Sequence, residues 1–338
     1  MTRFSRDHVL PRIGRLEQLA EVRRTVLDDG KGRGMRVWEV RNASGLEFAV
    51  YPDKGLDIGP ATFDGLPIAW TSRNGAVAPS FYDKTGVEWL RTWAGGLLTS
   101  CGWTNAGVPC GEEGLHGRHD NTPAEEVNSR CFWSECGEYV LEISGKIVHS
   151  RVFAENLVTR RTIRTVMGRA EIALVDETEN VGTKPSPLMQ LYHMNFGWPL
   201  VGENAVLEAP THPVTPQNPY CAEHLSDWNR FAAPQPNFAE QVFYHDLPSD
   251  ADGFASMQLR NPTAGLQMTL SFRKDSLPYL IQWKMPGTGE YVLGLEPSNC
   301  YPEGRDRNAE RGVLRTIAPG ESIRTEINLE IATREQRT

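Results

Sequence analysis

The sequence predicts an all-β fold: a large antiparallel β-sandwich that follows a short helical N-terminal lead. Segments in which apolar and polar residues alternate are numerous, whereas helical spacing of apolar residues occurs in one place. The chain contains 31 glycines and 23 prolines, and many of them separate these alternating segments. Many short strands with turn residues between them are typical of antiparallel sheets that pack face to face.

The helical lead is predicted from LEQLAEVRRTVL, residues 16–27, where apolar residues recur at helical spacing. We expect the lead to occupy residues 1–34 and the sandwich residues 35–332. The sandwich begins with MRVWEVRNASGLEFAVYPDKGLDIG, which predicts two strands joined by a turn at NASG and a third short strand. Further strands are predicted at YVLEISGKIV, LVTRRTIRTV, AEIALVDETEN, LMQLYHMNF, FASMQLR, LQMTLSF, YLIQWKM, YVLGLE and SIRTEINLEI.

A chain of 338 residues is long enough for one large β domain or two ordinary domains. Neither a sustained repeat nor a clean boundary divides it, so we predict a single domain over residues 1–338. The longest irregular stretch, residues 198–240, is rich in proline and aromatic residues. A loop of this length in a compact domain is usually functional, and the sequence leaves open whether it closes over a site.

The composition of the chain disfavours two classes of binding partner. The net charge of −8 and the pI near 5.6 disfavour a nucleic acid or an anionic membrane, which require a clustered basic surface. The first residues lack the apolar core of a signal peptide, and no apolar run approaches the roughly 20 residues of a membrane span. The six cysteines form no C-x-x-C pair, so we expect reduced thiols in a cytoplasmic protein.

Common catalytic motifs are absent from the sequence. The glycines at 30, 32 and 34 match neither a dinucleotide-binding motif nor a P-loop, and the chain contains no G-x-S-x-G or H-E-x-x-H. His116 and His119 have a spacing that could suit a metal, but no acidic ligand accompanies them in a fixed pattern. We therefore predict no metal site.

A carboxylate at the end of an apolar strand is the first candidate. In YVLGLEPSN, residues 291–299, Gly294 and Glu296 share one face of the predicted strand. Gly294 leaves a hollow beside the carboxylate, and a glycine within a strand often marks the close approach of a ligand. The alternative is that Glu296 is an exposed charge or one half of an ion pair.

Two further stretches place a histidine among glycine and aromatic residues. Glycines flank His116 in GLHGRHDNTPA, residues 114–124, and His193 in LYHMNFGWP, residues 191–199, shares a strand face with Asn195. Either histidine alone is compatible with a structural, hydrogen-bonded role.

Together these stretches resemble the galactose mutarotase-like (aldose 1-epimerase-like) superfamily, and most closely a branch of it known mainly as a domain of unknown function. The resemblance is carried by SGLEFAVYPDKGLDIG, GGLLTSCGWTNAG, GLHGRHDNTPA, YHMNFGWPL, EQVFYHD and YVLGLEPSN, which extend from residue 45 to residue 299. It implies the supersandwich fold of that superfamily and an enzyme that interconverts the anomers of a free sugar or sugar acid.

The resemblance also implies roles for individual residues. His193 would donate a proton to the sugar ring oxygen, Glu296 would accept the proton of the anomeric hydroxyl, and His116 would contact sugar hydroxyls. The family aspartate that holds ring hydroxyls has no clean counterpart, and Asp246, next to His245, is the candidate.

The resemblance and the strand period suggest the remaining substrate-binding residues. Arg91, ahead of TWAGGLLT, matches an arginine that binds sugar oxygen in relatives, and Asn195 shares the strand face of His193. Trp283 or Phe196 could supply an apolar platform for the sugar, with core packing as the alternative.

Arginines near the motifs suggest an anionic substituent on the substrate. Arg118 stands where relatives have a second glycine after His-Gly, and Arg91 and Arg305 also lie in or beside the motif stretches. The alternative is that these arginines are surface charges or pair with Asp120 and Glu303.

The chemistry of the implied reaction fits these residue types. Opening a hemiacetal ring requires a base on the anomeric hydroxyl and an acid on the ring oxygen, a pairing worth roughly 10²–10⁴ in rate. A nearby carboxylate is expected to raise the pKa of His193, and burial is expected to raise that of Glu296. The reaction needs no metal or organic cofactor.

Two other functions stay open on sequence grounds. The same pair could serve an epimerase, isomerase or lyase that acts on an oxidised sugar, or the chain could bind carbohydrate without catalysis. The sequence identifies neither the sugar nor the oligomeric state.

Overall fold

The computed structural model describes residues 4–333, and its regular structure consists mainly of antiparallel strands, which confirms the all-β prediction. The strands are β1 (Glu21–Val26), β2 (Arg36–Arg41), β3 (Leu46–Tyr51), β4 (Asp57–Phe63), β5 (Leu66–Pro67), β6 (Leu98–Trp103), β7 (Glu125–Trp133), β8 (Tyr139–Ser150), β9 (Asn156–Val166), β10 (Glu171–Asn180), β11 (Ser186–Pro187), β12 (Met189–Gly197), β13 (Val206–Glu208), β14 (Val214–Pro216), β15 (Gln241–His245), β16 (Phe254–Asn261), β17 (Leu266–Arg273), β18 (Tyr279–Gly287), β19 (Glu290–Ser298), β20 (Thr316–Ile317) and β21 (Ser322–Thr333). The α-helices are α1 (Arg6–Val9), α2 (Pro219–Glu223) and α3 (Arg305–Glu310). Single 3₁₀ turns lie at Leu10–Arg12, Leu16–Gln18, Gly30–Gly32, Pro79–Phe81, Glu88–Arg91, His119–Asn121 and Leu225–Asp227.

These strands form four sheets. Strands β1 to β5 make a five-stranded sheet in chain order. An eight-stranded sheet has the order β13-β16-β17-β21-β10-β9-β8-β7, and a six-stranded sheet has the order β14-β15-β18-β19-β12-β6. The short strands β11 and β20 pair with each other. Because β12 and β19 are adjacent, the two strands that carry the predicted catalytic residues lie side by side.

The helix predicted over residues 16–27 is wrong. The segment forms one 3₁₀ turn and then strand β1, in which Val22 pairs with Val40 of β2. The β-branched residues of EVRRTV favour a strand, and pairing with β2 gives the backbone partners that a short isolated helix would lack. The guanidinium of Arg24 also lies 4.5 Å above the ring of Trp38 on the neighbouring strand. The first sheet therefore begins inside the segment predicted to be a helical lead, of which α1 and the adjoining 3₁₀ turns remain helical.

The predicted strands are all present, whereas three further strands of five to nine residues, β6, β7 and β15, were not predicted. Strand β6, LTSCGW, is buried at every position, so it lacks the alternation that marks a half-buried strand. Strand β7 is largely exposed and polar, and β15 has only five residues, all of them buried. None of the three sequences shows the alternation of apolar and polar residues from which the other strands were predicted.

The six-stranded sheet is covered on both faces. Tyr192 and Met194 of β12 join the main hydrophobic core, whereas Leu191 joins a second cluster on the opposite face that includes Trp89 and Trp93. Every residue of β12 is consequently buried. This double burial leaves His193, which packs against Trp93 of the second cluster, only 4% exposed.

A buried ionic network joins the three large sheets. Arg161 of β9 donates to Asp57 of β4 at 2.6 Å and to both carboxylate oxygens of Asp176 on β10 at 2.8 and 2.7 Å. Asp57 also accepts the hydroxyl of Ser100 on β6 at 2.6 Å, and Asp176 accepts the hydroxyl of Tyr192 at 2.8 Å. The network thus holds Tyr192, the residue immediately before His193 on β12, in a fixed position.

The proline-rich stretch 198–240 is less irregular than predicted, because it contains β13, β14 and α2. All six cysteines are free thiols, in agreement with the predicted reduced state. Within residues 4–333, no helix combines the length and the apolar character needed to cross a bilayer.

Candidate active site

The register of β12 against β19 brings the predicted catalytic residues together. Asn195 pairs with Gly294, so His193 lies opposite Glu296. The Nε2 atom of His193 and the Oε1 atom of Glu296 are 3.2 Å apart. The residues are only 4% and 2% exposed, so Glu296 is not the exposed charge of the alternative interpretation.

The hollow expected beside Glu296 is present at Gly294. A Cβ atom at this position would lie 2.9 Å from Oε1 of Glu296, 2.9 Å from Cε1 of His193 and 3.2 Å from Cβ of Trp283. Real Cβ atoms essentially never approach other heavy atoms as closely as the two shorter distances. Glycine is therefore required here for the two polar side chains to meet.

A pocket of about 410 Å³ opens above the His193–Glu296 pair, within the range typical of small-molecule sites. Trp93 and Trp283 flank His193, with ring centroids 5.2 and 5.6 Å from its imidazole. Trp283 therefore lines the pocket as predicted, and the pair lies between aromatic walls.

His116 reaches the same pocket from the loop between β6 and β7. Its ring centroid lies 5.9 Å from that of His193 and 4.8 Å from that of Trp89. The backbone of His116 has a φ of 59°, and Gly117 has a φ of 69°. A Cβ at Gly117 would lie 2.7 Å from the carbonyl oxygen of Asn105, so the Leu-His-Gly motif requires this glycine. A non-glycine residue held in the left-handed region is often found at functional sites.

The pKa values of His193 and Glu296 are displaced in opposite directions. Burial raises the pKa of Glu296 well above its ordinary value, and the nearby carboxylate of Glu240 adds to the rise. Burial lowers the pKa of His193 well below its ordinary value, and His116 lowers it further. The expected rise in the pKa of Glu296 is confirmed, whereas the expected rise in the pKa of His193 is wrong because desolvation and His116 both lower it.

These shifts define the charge state of the pocket floor. Both displacements favour the uncharged forms of the two side chains. Burial also lowers the pKa of His116 to about 4, which keeps that ring neutral. A buried acid and base with opposed pKa shifts in one cleft are typical of catalytic sites.

Four predicted substrate-binding residues do not line the pocket, namely Arg91, Arg118, Asp246 and Asn195. Arg91 is 77% exposed and pairs with Glu88, a neighbour on the same 3₁₀ turn. Arg118 donates to the carbonyl oxygen of Ser150 at 2.8 Å and to Glu155 at 3.0 Å. Their guanidinium groups are thus engaged at the surface, as the alternative interpretation held, although with partners other than those suggested.

Asp246 is also outside the pocket. Its side chain is 72% exposed and forms an ion pair with Lys274 at 2.6 Å, because it lies beyond the end of β15. The neighbouring His245 is buried and contacts His212 at 2.9 Å and Gln282 at 3.0 Å.

The other residues singled out in the sequence have structural partners. Asn195 is buried behind the pair, where its amide donates to the carbonyl oxygens of Gly96 at 3.0 Å and His193 at 2.9 Å. Phe196 packs in the main core. The backbone of Arg305 donates to Asn105 at 2.9 Å, and the side chain does not line the pocket.

Among the lining residues that the sequence did not predict, Trp89, Trp93, Gln217 and Glu240 carry polar or aromatic side chains. A signal for Glu240 was present, since it precedes the apolar strand β15 much as Glu296 follows apolar residues in β19. Gln217 and Glu240 belong to the proline-rich stretch, which therefore forms part of the pocket wall.

Other cavities lack these features. A cavity of about 420 Å³ lies on the five-stranded sheet among side chains such as Arg23, Glu39 and Thr62. Its lining contains no histidine and no buried carboxylate. We therefore assign the candidate site to the pocket of His193 and Glu296.

Comparison with known proteins agrees with this fold. Residues 32–331 match the family model described as a domain of unknown function, DUF4432. No functionally curated protein matches the chain. The solved structure of a candidate aldose 1-epimerase from Klebsiella pneumoniae is 26% identical, covers 92% of this chain and 83% of its own, and has a TM-score of 0.86.

More distant structures share the architecture. A galactose mutarotase-like protein from Clostridium acetobutylicum is 13% identical over 94% of this chain and 99% of its own, with a TM-score of 0.67. A galactose 1-epimerase from Lactobacillus acidophilus is 11% identical over 93% and 99%, with a TM-score of 0.60. The galactose mutarotase-like fold that the sequence motifs implied is thus shown.

Proposed function

The chain belongs to the DUF4432 family, whose fold here is galactose mutarotase-like, and we propose that it is an isomerase that interconverts the α and β anomers of a free sugar. The observation that carries the proposal is the buried pair of His193 and Glu296, 3.2 Å apart at the floor of an aromatic pocket. Several structural neighbours are named for the same activity, which supports the proposal.

The geometry of the pair suits the two oxygens of a hemiacetal. The anomeric hydroxyl and the ring oxygen are bonded to the same carbon, so an acid and a base that serve them must lie side by side. In ring opening, the carboxylate of Glu296 accepts the hydroxyl proton while the imidazolium of His193 donates a proton to the ring oxygen. The C1–ring oxygen bond breaks and a carbonyl forms at C1.

The same pair then closes the ring on the other face. After rotation about the C1–C2 bond, Glu296 returns its proton to the carbonyl oxygen, and His193 takes the proton of the attacking hydroxyl. The open-chain complex contains protonated Glu296 and neutral His193, the forms that burial favours. Burial of the two side chains therefore favours the open-chain complex relative to the charged pair.

Exchange NMR tests the proposal directly. Magnetisation transfer between the α and β anomeric protons is measured for a panel of neutral and acidic sugars, with and without the protein. We expect faster exchange for at least one sugar, in proportion to protein concentration. Binding without any acceleration across the panel would contradict the proposal and indicate a carbohydrate-binding role.

Replacing Gly294 by alanine is expected to lower kcat/KM for anomer exchange about tenfold. The new methyl carbon would lie 2.9 Å from both Glu296 and His193, so at least one of them must move. Displacement of a reacting group by about 1 Å can cost about 10²-fold in rate. Gly14→Ala is the matched control, because a Cβ at Gly14 meets no atom within 4 Å. Equal rates for the two variants would contradict the assigned geometry.

The pH dependence of kcat/KM is expected to be bell-shaped, with an acidic and an alkaline limb that report the pKa values of the pair. The lowered pKa of His193 places the acidic limb below pH 6.5, and the raised pKa of Glu296 places the alkaline limb well above pH 4.5. In Glu240→Gln, the loss of a negative charge lowers the pKa of Glu296, so the alkaline limb moves to lower pH. Glu177→Gln removes the same charge from the exposed face of β10 and should leave both limbs in place. An unmoved alkaline limb in Glu240→Gln would refute this coupling.

A further inference from the structure

We infer that the pocket selects an uncharged 6-deoxyhexopyranose, a sugar that carries a methyl group at C5 in place of a hydroxymethyl group. This inference rests on the proposed function, since it assumes that the anomeric hydroxyl and the ring oxygen contact Glu296 and His193. It is based on the small number of free polar groups in the pocket and on an apolar wall beside His193.

The pocket offers few partners for sugar hydroxyls. Besides the catalytic pair, its lining within residues 4–333 contains three side chains with available polar atoms, namely His116, Gln217 and Glu240. A hexopyranose has four hydroxyls besides the anomeric one, and a 6-deoxyhexopyranose has three. A buried hydroxyl without a partner is costly, so a pocket with few polar side chains favours the sugar with fewer hydroxyls.

The indole nitrogens do not add to this inventory. The Nε1 atom of Trp89 donates to Asp120 at 2.9 Å, and that of Trp93 donates to Thr99 at 3.1 Å. The Nε1 atom of Trp283 donates to Glu240 at 2.8 Å and leaves the other oxygen of this carboxylate for a ligand. The three tryptophans therefore present apolar ring surface to the substrate.

The apolar wall lies on the side of the pocket where C6 is expected. In a pyranose, C5 is bonded to the ring oxygen, so its substituent points to the side of the group that protonates that oxygen. Trp93 packs against His193 with ring centroids 5.2 Å apart, and the segment that leads to it places Val87 and Leu90 in the pocket lining. These side chains are 54% and 47% exposed, so they can lose contact with water when a methyl group covers them.

The charges of the pocket disfavour an acidic sugar. No arginine or lysine lines it, and the carboxylate of Glu240 stands at its rim. A carboxylate, sulfonate or phosphate on the substrate would be desolvated beside a like charge and without a cation. The arginines that suggested an anionic substituent do not line the pocket, so they provide no counter-charge for such a group.

The test uses matched sets of sugars that differ only at C6. Anomer exchange is measured for D-fucose, D-galactose and L-arabinose, for D-quinovose, D-glucose and D-xylose, and for L-rhamnose, L-mannose and L-lyxose. Each set contains a methyl, a hydroxymethyl and an unsubstituted member. In the set whose ring configuration fits the site, kcat/KM for the methyl sugar is expected to exceed that of both other members about 10- to 100-fold.

Two variants test whether the apolar wall causes the preference for the methyl sugar. Leu90→Ser is expected to reduce the ratio of kcat/KM for the methyl and hydroxymethyl sugars at least severalfold. Val152→Ser, which changes a 78% exposed valine outside the pocket, is expected to leave the ratio unchanged. An unchanged ratio in Leu90→Ser, with its melting temperature intact, would overturn the assignment of the apolar wall.

The outcomes separate this inference from the proposed function. If some sugars exchange faster but the methyl member is never preferred, the inference fails and the isomerase proposal stands. If no sugar in any set exchanges faster, the proposed function fails, and this inference fails with it.

Discussion

Replacing Glu296 by glutamine is expected to lower kcat for anomer interconversion about 10²- to 10⁴-fold, the contribution typical of a positioned acid or base. Glutamine has nearly the same shape and can contact His193, but it cannot accept the proton of the anomeric hydroxyl. Substrate binding should change much less than kcat. The measurement is the exchange rate of α and β anomers by NMR at saturating sugar.

The stability of the Glu296→Gln variant provides an internal check. Because the folded-state pKa of Glu296 is raised above its ordinary value of 4.5, the stability linked to its protonated form is lost as the pH rises toward the folded-state pKa. Glutamine does not ionise, so the free energy of unfolding at pH 8 should equal or exceed that of the wild type. Glu290→Gln, at the start of the same strand and outside the pocket, should retain full activity. Full activity in Glu296→Gln would exclude this residue as the base.

His193→Asn tests the other half of the pair. A comparable loss of kcat is expected, and the double variant should be little worse than either single variant, because an acid and a base that act in one step do not contribute additively. Additive losses would show that the two residues act in separate steps.

The largest expected effect on stability comes from Arg161. Replacing it by methionine leaves Asp57 and Asp176 buried without their cation, although burial already raises the pKa of Asp57 to about 6. Removal of one partner from a buried ionic network typically costs about 3–5 kcal/mol in the free energy of unfolding. Since a domain is stable by only about 5–15 kcal/mol, the denaturation midpoint should fall markedly.

Arg160→Met is the matched control for this prediction. Arg160 is the exposed neighbour of Arg161 on β9, and its replacement should cost less than about 1 kcal/mol. The comparison uses urea denaturation followed by intrinsic tryptophan fluorescence. Similar midpoints for the two variants would show that the network contributes little to holding the sheets together.

The strands of this fold are predictable where one face is buried and the other is not. The alternation in residues 254–260 and 266–272 identifies β16 and β17 because each strand has one face in the core. Strand β6 has no such pattern, since both of its faces are buried. A helix was wrongly predicted for residues 16–27 because their apolar residues fit a helical period. The pairing of β1 with β2 determines the conformation instead.

The candidate site is predictable in part, because its central residues lie on strands and in recognisable motifs. The strand period shows that Gly294 and Glu296 share a face, and the motifs indicate His116 and His193. The sequence does not show where a long flexible side chain points, so Arg91 and Arg118 were assigned to the site although both form ion pairs away from it. Glu240 and Asp246 share the same strand period, but only Glu240 lies at the pocket end of β15.

The central claim is that the His193–Glu296 pair interconverts sugar anomers, and polarimetry from a single pure anomer tests it most directly. Freshly dissolved α anomers of the matched sugars are followed to equilibrium with wild type, with Glu296→Gln and with buffer alone. The account predicts that wild type accelerates the approach to equilibrium in proportion to its concentration and that Glu296→Gln restores nearly the buffer rate. A wild-type rate equal to that of buffer for every sugar, or an undiminished rate in Glu296→Gln, would contradict it.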